Sequence, residues 1–151
     1  MFLSNLARFA PNSNVKTISM SSERIRDSRI FDKPLRFFSI DGGHTRALTF
    51  NDLEIANEFL TDEGMCCLDD IMNPSWTGVI SGLFEFTRIW DNLVPFALMP
   101  NKLFLCRPSY QRKRRQQFKA TFHRGLLKAD SELGSSVIDV YGDCWTALGF
   151  R

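Results

Sequence analysis

The side chains best suited to acid–base or metal chemistry follow an apolar run in LRFFSIDGGHTRAL, residues 35–48. The run ends in Asp41, whose carboxylate can bind a cation, and His44 follows close enough to reach the same cavity. Histidine exchanges a proton near neutral pH, so His44 could take a proton from a hydroxyl held beside a metal. Asp-Gly-Gly is also an ordinary turn composition, and a lone histidine is often a surface residue, so a purely structural explanation stays open.

A second apolar run, MCCL, ends in the adjacent carboxylates Asp69 and Asp70. Between the two runs, apolar residues near helical spacing predict a helix over 48–60 that stops at Gly64. Strand, helix and strand in this order predict a βαβ unit with neighbouring parallel strands. Ligands of such sheets bind outside the carboxyl ends of strands that lie about 4.8 Å apart. Asp41, Asp69 and Asp70 are therefore predicted to converge on one cation, for which oxygen ligands favour Mg²⁺.

The rest of the chain alternates short strand-like runs with longer amphipathic ones. This pattern predicts an α/β fold with a mainly parallel sheet and flanking helices, in one domain over residues 1–151. The further predicted elements are a strand over 14–20, a short polar helix from Ser22, a helix over 75–90, a strand over 102–107, a basic helix over 110–128 and a last strand over 136–142.

The composition is that of an ordinary globular protein, since 44% of the 151 residues are hydrophobic and 24% are charged. The net charge of +2 is too small to indicate nucleic-acid binding by itself. No apolar run approaches the ~20 residues of a membrane helix, and the N-terminal stretch lacks a signal-peptide pattern. We therefore expect a cytoplasmic protein without membrane contact. The cysteines, which are expected to be reduced and packed, are Cys66, Cys67, Cys106 and Cys144.

The segment FFSIDGGHTRALTFNDLEIANEFLTDEGMCCLDDIMNPSWTGV, residues 37–79, resembles the second half of the core of class I S-adenosylmethionine-dependent methyltransferases. The closest resemblance is to O-methyltransferases that act on small molecules and sugars. It extends over roughly residues 14–107 and implies a partial Rossmann-like methyltransferase core. The motifs that carry it are Ile40 to His44, Asp52-Leu53, Gly64, Asp69-Asp70 and Trp76-x-Gly78-Val79.

The resemblance also implies roles for the polar residues. In metal-dependent members of that group, residues at the positions of Asp41, Asp69 and Asp70 hold Mg²⁺, and the residue at the position of His44 is the general base. The metal would orient an acceptor hydroxyl of a small molecule or sugar and lower its pKa, while His44 takes the proton.

The implied methyl donor is S-adenosylmethionine. Ser21 and Ser22 lie where the family commonly has Gly-Asp-Ser beside the adenine of this cofactor, with Ser21 in place of the aspartate. Together with Asp41 and Gly42, they are the residues that the resemblance implies on the cofactor side.

The family's glycine-rich cofactor loop, its following helix and its ribose-binding acidic residue would precede residue 14, where this sequence has MFLSNLARFAPNS. We expect the C-terminal portion of a methyltransferase-like fold, from a truncated gene product or a degenerate member. The strand at 35–40 would then form a sheet edge, which is an aggregation hazard unless it is covered. Residues 14–20, a partner chain or a second copy could cover it. A non-catalytic module that needs a partner is the alternative function.

Nucleic-acid binding is a third possible function, indicated by RPSYQRKRRQQFK, residues 107–119, which combines six basic residues with two aromatic ones. Such a helix could grip RNA phosphates or an acidic partner. A solvated helix face whose aromatic residues turn into the core explains the same pattern, and the nearly balanced charge of the chain favours that explanation. Nucleic acid is therefore not the expected partner.

Overall fold

The structure, a computed structural model, describes residues 2–28, 30–31, 33–99 and 101–126, and the predicted α/β fold is confirmed there. The strands are β1 (Leu35–Ile40), β2 (Leu60–Asp69), β3 (Val94–Met99) and β4 (Lys102–Cys106). The α-helices are α1 (Phe2–Phe9), α2 (Arg46–Phe59), α3 (Thr77–Ile89) and α4 (Gln111–Leu126). None of the helices in these ranges combines the length and the apolar character that crossing a bilayer requires.

The four strands form one sheet in the order β1-β2-β4-β3. β1 and β2 are parallel, whereas β4 is antiparallel to both of its neighbours, so the sheet is mixed rather than mainly parallel. The difference comes from β3, which was not predicted. Its sequence VPFALM contains a proline and is mostly buried, so it lacks the alternation that marks a half-buried strand. The connection from Met99 to Lys102 is short, and a short hairpin connection joins antiparallel strands.

The predicted βαβ unit is confirmed as β1, α2 and β2. Helix α2 begins after Thr45, whose hydroxyl accepts a hydrogen bond from the backbone N–H of Leu48 at 3.3 Å. The helix ends at Phe59 and passes directly into β2, so the prediction that Gly64 stops the helix is wrong. Gly64 instead lies within β2 at an irregularity, where Leu35 pairs with Leu60 but Phe37 pairs with Met65.

The predicted strand over 14–20 is also wrong, because the chain there has no regular structure and its residues are exposed. The apolar side chains of NVKTISM are exposed, and Val15, the most exposed of them, is 47% exposed. The short helix predicted from Ser22 is present as two 3₁₀ turns, Ser22–Arg24 and Arg26–Ser28. β1 is consequently an edge strand, and within the described ranges no strand pairs with its outer side.

The predictions for the second half of the chain are largely confirmed. The helix predicted over 75–90 is α3, and the strand over 102–107 is β4. The basic helix over 110–128 corresponds to α4, preceded by one 3₁₀ turn, Pro108–Tyr110. The last predicted strand, 136–142, and Cys144 lie outside the described residues.

Both faces of the sheet are packed against helices. The larger core lies on the side of α2 and α3 and contains Leu53, Leu83 and Phe86. On the opposite face Phe118 of α4 packs against Phe96 and Phe104, so the basic helix turns an aromatic residue into the core, as expected.

Two basic side chains of the 107–119 segment are engaged by the backbone of the βαβ unit. Arg107 donates to the side-chain oxygen of Asn57 at 2.6 Å, to its carbonyl at 2.7 Å and to the carbonyl of Leu60 at 3.1 Å. Arg114 donates to the carbonyl of Glu63. These two arginines therefore link α4 and the segment before it to the region where α2 passes into β2. Fewer positive charges are then available to bind the phosphates of RNA.

The described cysteines fit the expectation of packed thiols. Cys66, Cys67 and Cys106 are free and buried. Burial raises the pKa of each of these thiols above its ordinary value, and that of Cys106 reaches about 11. They are therefore protonated at neutral pH, and a protonated thiol is a poor nucleophile and metal ligand.

Candidate metal centre

Three of the predicted polar residues come together beyond the carboxyl ends of β1 and β2. Asp41 and His44 follow β1, and Asp70 follows β2. One ligand atom from each residue lies within 4.8 Å of the others. The parallel pairing of β1 with β2 produces this meeting, because it brings both carboxyl ends to the same edge of the sheet.

Within this group, the His44 side chain contacts Trp76 and Asp70. Its ring stacks on that of Trp76, with the centroids 4.5 Å apart and the planes 20° from parallel. Its Nε2 atom lies 2.8 Å from Oδ2 of Asp70. Nε2 is buried, yet it has no well-directed hydrogen-bond partner in the described part of the chain, so its approach to Asp70 is not an aligned hydrogen bond.

Asp70 is fixed by two amide donors on its other oxygen. Oδ1 accepts hydrogen bonds from Nδ2 of Asn73 at 3.0 Å and from Nδ2 of Asn101 at 2.7 Å. These bonds, first that of Asn73 and then that of Asn101, lower the pKa of Asp70, and the charge of His44 adds to the effect. The backbone φ of Asp70 is 58°, in the left-handed region that is unusual for a residue other than glycine.

Asp69, the third carboxylate predicted to bind metal, faces a different partner. Its Oδ2 pairs with Nζ of Lys102 on β4, and its Oδ1 accepts from the backbone N–H of Asp70 at 2.9 Å. The hydrogen bond to Asp69 raises the pKa of Lys102. Asp69 is therefore not in the group that Asp41, His44 and Asp70 form, although it supports the backbone of Asp70.

Two of the residues that the resemblance implies on the cofactor side, Ser22 and Gly42, lie near Asp52 of α2. Ser22 hydrogen-bonds to the Asp52 carboxylate, and a Cβ placed on Gly42 would lie 3.5 Å from Oδ2 of the same side chain. The hydroxyl of Ser21 donates to Glu23 at 3.0 Å. Both serine hydroxyls thus bond to acidic side chains of the chain itself, that of Ser21 at the surface, and neither arrangement points to S-adenosylmethionine.

Asp52 is buried, and burial raises its pKa despite hydrogen bonds from Ser22 and Asn51. An unfolded aspartate ionises near pH 3.9, so the folded state loses stability as the pH rises from there through the raised folded pKa. Relative to the parent, Asp52→Asn is expected to gain free energy of unfolding between about pH 3.5 and pH 7, because the amide does not ionise. Urea unfolding at both pH values measures this gain. Any effect of the asparagine side chain that does not depend on pH is the same at both values and cancels in the difference.

The exposed carboxylate Asp91 provides the control for this experiment. Asp91→Asn is expected to change the free energy of unfolding by a similar amount at both pH values. A gain for Asp52→Asn that is no larger than that of Asp91→Asn would contradict a pKa raised by burial.

Several residues that shape the centre carry no signal in the sequence. Asn101 and Lys102 come from the β3–β4 hairpin, about thirty residues beyond Asp70, and only the strand pairing brings them near. Asn73 is a partial exception, because an asparagine followed by Pro-Ser is typical of a turn that holds a nearby side chain.

The fold and the centre together define an α/β domain with a candidate metal site at the carboxyl-end edge of its sheet. Two carboxylates and one imidazole offer oxygen and nitrogen donors, and the buried Nε2 without an aligned partner is the kind of atom that an ion would satisfy. No protein-family model matches this chain, and no curated protein matches its sequence.

Proposed function

We propose that this chain is a methyltransferase-like protein whose described residues form the metal and acceptor side of an O-methyl transfer site. One observation carries the proposal: ligand atoms of Asp41, His44 and Asp70 lie within 4.8 Å of one another beyond the ends of adjacent parallel strands. Open α/β sheets bind their ligands at this position. The donor set fits a divalent cation such as Mg²⁺ or Mn²⁺.

The residues around the centre would orient an acceptor rather than react with it. A bound cation would supply Lewis-acid chemistry by lowering the pKa of an acceptor hydroxyl. Asp41 and Asp70 would hold the cation. Trp76, which packs on His44 and is 44% exposed, would line the approach of a small molecule or sugar. The methyl donor would be S-adenosylmethionine, as the sequence resemblance implies.

His44 has two candidate roles, and its Nε2 atom cannot serve both at once. The resemblance implies a general base. The geometry favours a ligand, because Nε2 is buried within the donor group and has no aligned hydrogen-bond partner among the described residues. We therefore propose His44 as the third ligand in place of Asp69, whose carboxylate pairs with Lys102.

Calorimetric titration of the purified chain tests the proposal with two probes, Mn²⁺ alone and S-adenosylmethionine with and without Mn²⁺. Heat of Mn²⁺ binding is expected, and it should be lost when Asp41 and Asp70 are both replaced by asparagine. The matched control replaces the exposed carboxylates Asp62 and Asp91 by asparagine and should bind as the parent does.

The two probes separate the parts of the proposal. Absence of Mn²⁺ binding would overturn the metal centre. Mn²⁺ binding without any binding of millimolar S-adenosylmethionine would overturn the methyltransferase assignment and leave a metal-binding protein.

A metal-binding module that acts with a partner chain is the second candidate. It is favoured by β1, whose outer side has no strand partner within the described residues. The hydroxyls of Ser21 and Ser22 also favour it, because they bond to Glu23 and Asp52 rather than being directed toward a ligand. For either candidate we propose a cytoplasmic location, on the ground that the described cysteines are unpaired.

A further inference from the structure

The hairpin between β3 and β4 sends one side chain, Asn101, into the loop that carries Asp70. Nδ2 of Asn101 donates to Oδ1 of Asp70 at 2.7 Å, and Oδ1 of Asn101 accepts from the backbone N–H of Met72 at 3.3 Å. The backbone carbonyl of Asn101 accepts from the N–H of Ile71 at 3.4 Å. A single residue of the hairpin thus contacts three consecutive residues of the loop.

These contacts give the two oxygens of Asp70 different partners. Oδ1 receives the amide donors of Asn101 and Asn73, and Oδ2 lies 2.8 Å from Nε2 of His44. A carboxylate with two donors on one oxygen cannot rotate about its Cβ–Cγ bond without losing both hydrogen bonds. The donors therefore direct the second oxygen toward His44.

The backbone of Asp70 also needs this support. The left-handed region is strained for a residue other than glycine, so the surrounding structure has to hold Asp70 there. Asn101 supplies that hold, since it binds the side chain of Asp70 and the backbone N–H groups of the next two residues.

We propose that Asn101 is a positioning residue of the metal centre, which sets the metal affinity by fixing Asp70 and does not bind the metal itself. This inference rests on the proposed function, in which Asp70 is a ligand. Residues that hydrogen-bond to a metal ligand typically contribute roughly 10- to 100-fold to metal affinity. The sequence gives no hint of this role, because Asn101 lies in a different supersecondary unit from Asp70.

Asn101→Ala is expected to weaken Mn²⁺ binding by roughly 10-fold or more, measured by titration with detection of free Mn²⁺ by electron paramagnetic resonance. The matched control is Asn92→Ala, because the hydrogen bond of Asn92 to Arg107 runs through its backbone carbonyl and survives truncation. Asn92→Ala should bind Mn²⁺ as the parent does. If Asn101→Ala fails to fold, Asn101→Ser keeps a turn-forming residue that is too short to reach Asp70, and the same loss is expected.

A second measurement needs no metal. The imidazole ¹⁵N resonances of His44 in the metal-free chain should shift in Asn101→Ala and stay in place in Asn92→Ala, because Oδ2 of Asp70 is no longer held beside Nε2. A role limited to tying Met72 and Ile71 would leave these resonances where they are.

The outcomes distinguish this inference from the proposed function. A parent chain that binds Mn²⁺, with the same affinity in Asn101→Ala, would overturn the role of Asn101 alone. A loss of affinity without a shift of the His44 resonances would also overturn it, because the action would not pass through Asp70. A parent chain that does not bind Mn²⁺ would overturn the proposed function and the role of Asn101 together.

Discussion

Replacing His44 with alanine is expected to lower the affinity of the chain for Mn²⁺ by roughly 100-fold, the upper end of the effects seen for residues that only support a ligand. The change removes one of three donor atoms that lie within 4.8 Å of one another. It also leaves the carboxylates of Asp41 and Asp70 near each other without the imidazole nitrogen beside them. Titration of Mn²⁺ with detection of the free ion measures the effect.

Trp76→Phe serves as the control for this experiment, because phenylalanine preserves an aromatic ring against the imidazole of His44 and adds no donor atom. Its Mn²⁺ affinity should stay within a few-fold of that of the parent. The opposite result would be an unchanged affinity in His44→Ala together with a loss of methyl transfer. That result would return His44 to the role of general base and exclude it as a ligand.

Gly78→Ala is expected to lower the free energy of unfolding by about 2 kcal/mol or more, even though alanine is the better helix former by ~1 kcal/mol. A Cβ at Gly78 would lie 2.3 Å from the carbonyl oxygen of His44 and 2.9 Å from the backbone nitrogen of Arg46. Both are backbone atoms, so neither can move aside as a flexible side chain would. Helix α3 would have to shift away from the loop that carries His44, and Mn²⁺ binding should weaken as well.

Ser81→Ala in the same helix is the matched control, because Ser81 is exposed and its hydroxyl donates to the carbonyl of Thr77 one turn earlier. Urea unfolding of the two variants should give a large loss for Gly78→Ala and a small change for Ser81→Ala. Equal stability of Gly78→Ala and the parent would show that α3 can retreat without cost, and the close approach at Gly78 would then have no structural importance.

Local sequence patterns were sufficient to predict the βαβ unit and the residues at its carboxyl ends. The apolar runs that end in Asp41 and Asp70, and the helical pattern between them, can be recognised from residues that are close in sequence. Parallel pairing then places both carboxylates at one edge, so the sequence alone predicts that these two residues meet.

The remainder depends on contacts between distant parts of the chain. Asp69 has the same local sequence environment as Asp70, and only the antiparallel pairing of β2 with β4 puts Lys102 opposite it. The strand predicted over 14–20 is wrong for a related reason, because no described strand lies beside this segment. Strand propensity becomes a strand only when a neighbour is available.

The two glycines of α3, Gly78 and Gly82, have a structural role that helix propensity does not reveal. Glycine lowers helix propensity, so both residues disfavour the helix that contains them. The structure shows the benefit that offsets this cost: a Cβ at Gly82 would lie 2.6 Å from the carbonyl oxygen of Arg46, so the two glycines let α3 approach the start of α2 closely.

The placement of the donor residues also has a consequence for folding. Asp41 follows β1 and Asp70 follows β2, so α2 and β2 separate them in the sequence, and they meet only after the helix has packed and the two strands have paired. The contact is non-local, and its loop-closure entropy must be met before the donor group exists. A peptide that carries either loop alone would hold no such group, so Mn²⁺ affinity measured during refolding would report the moment at which this crossover closes.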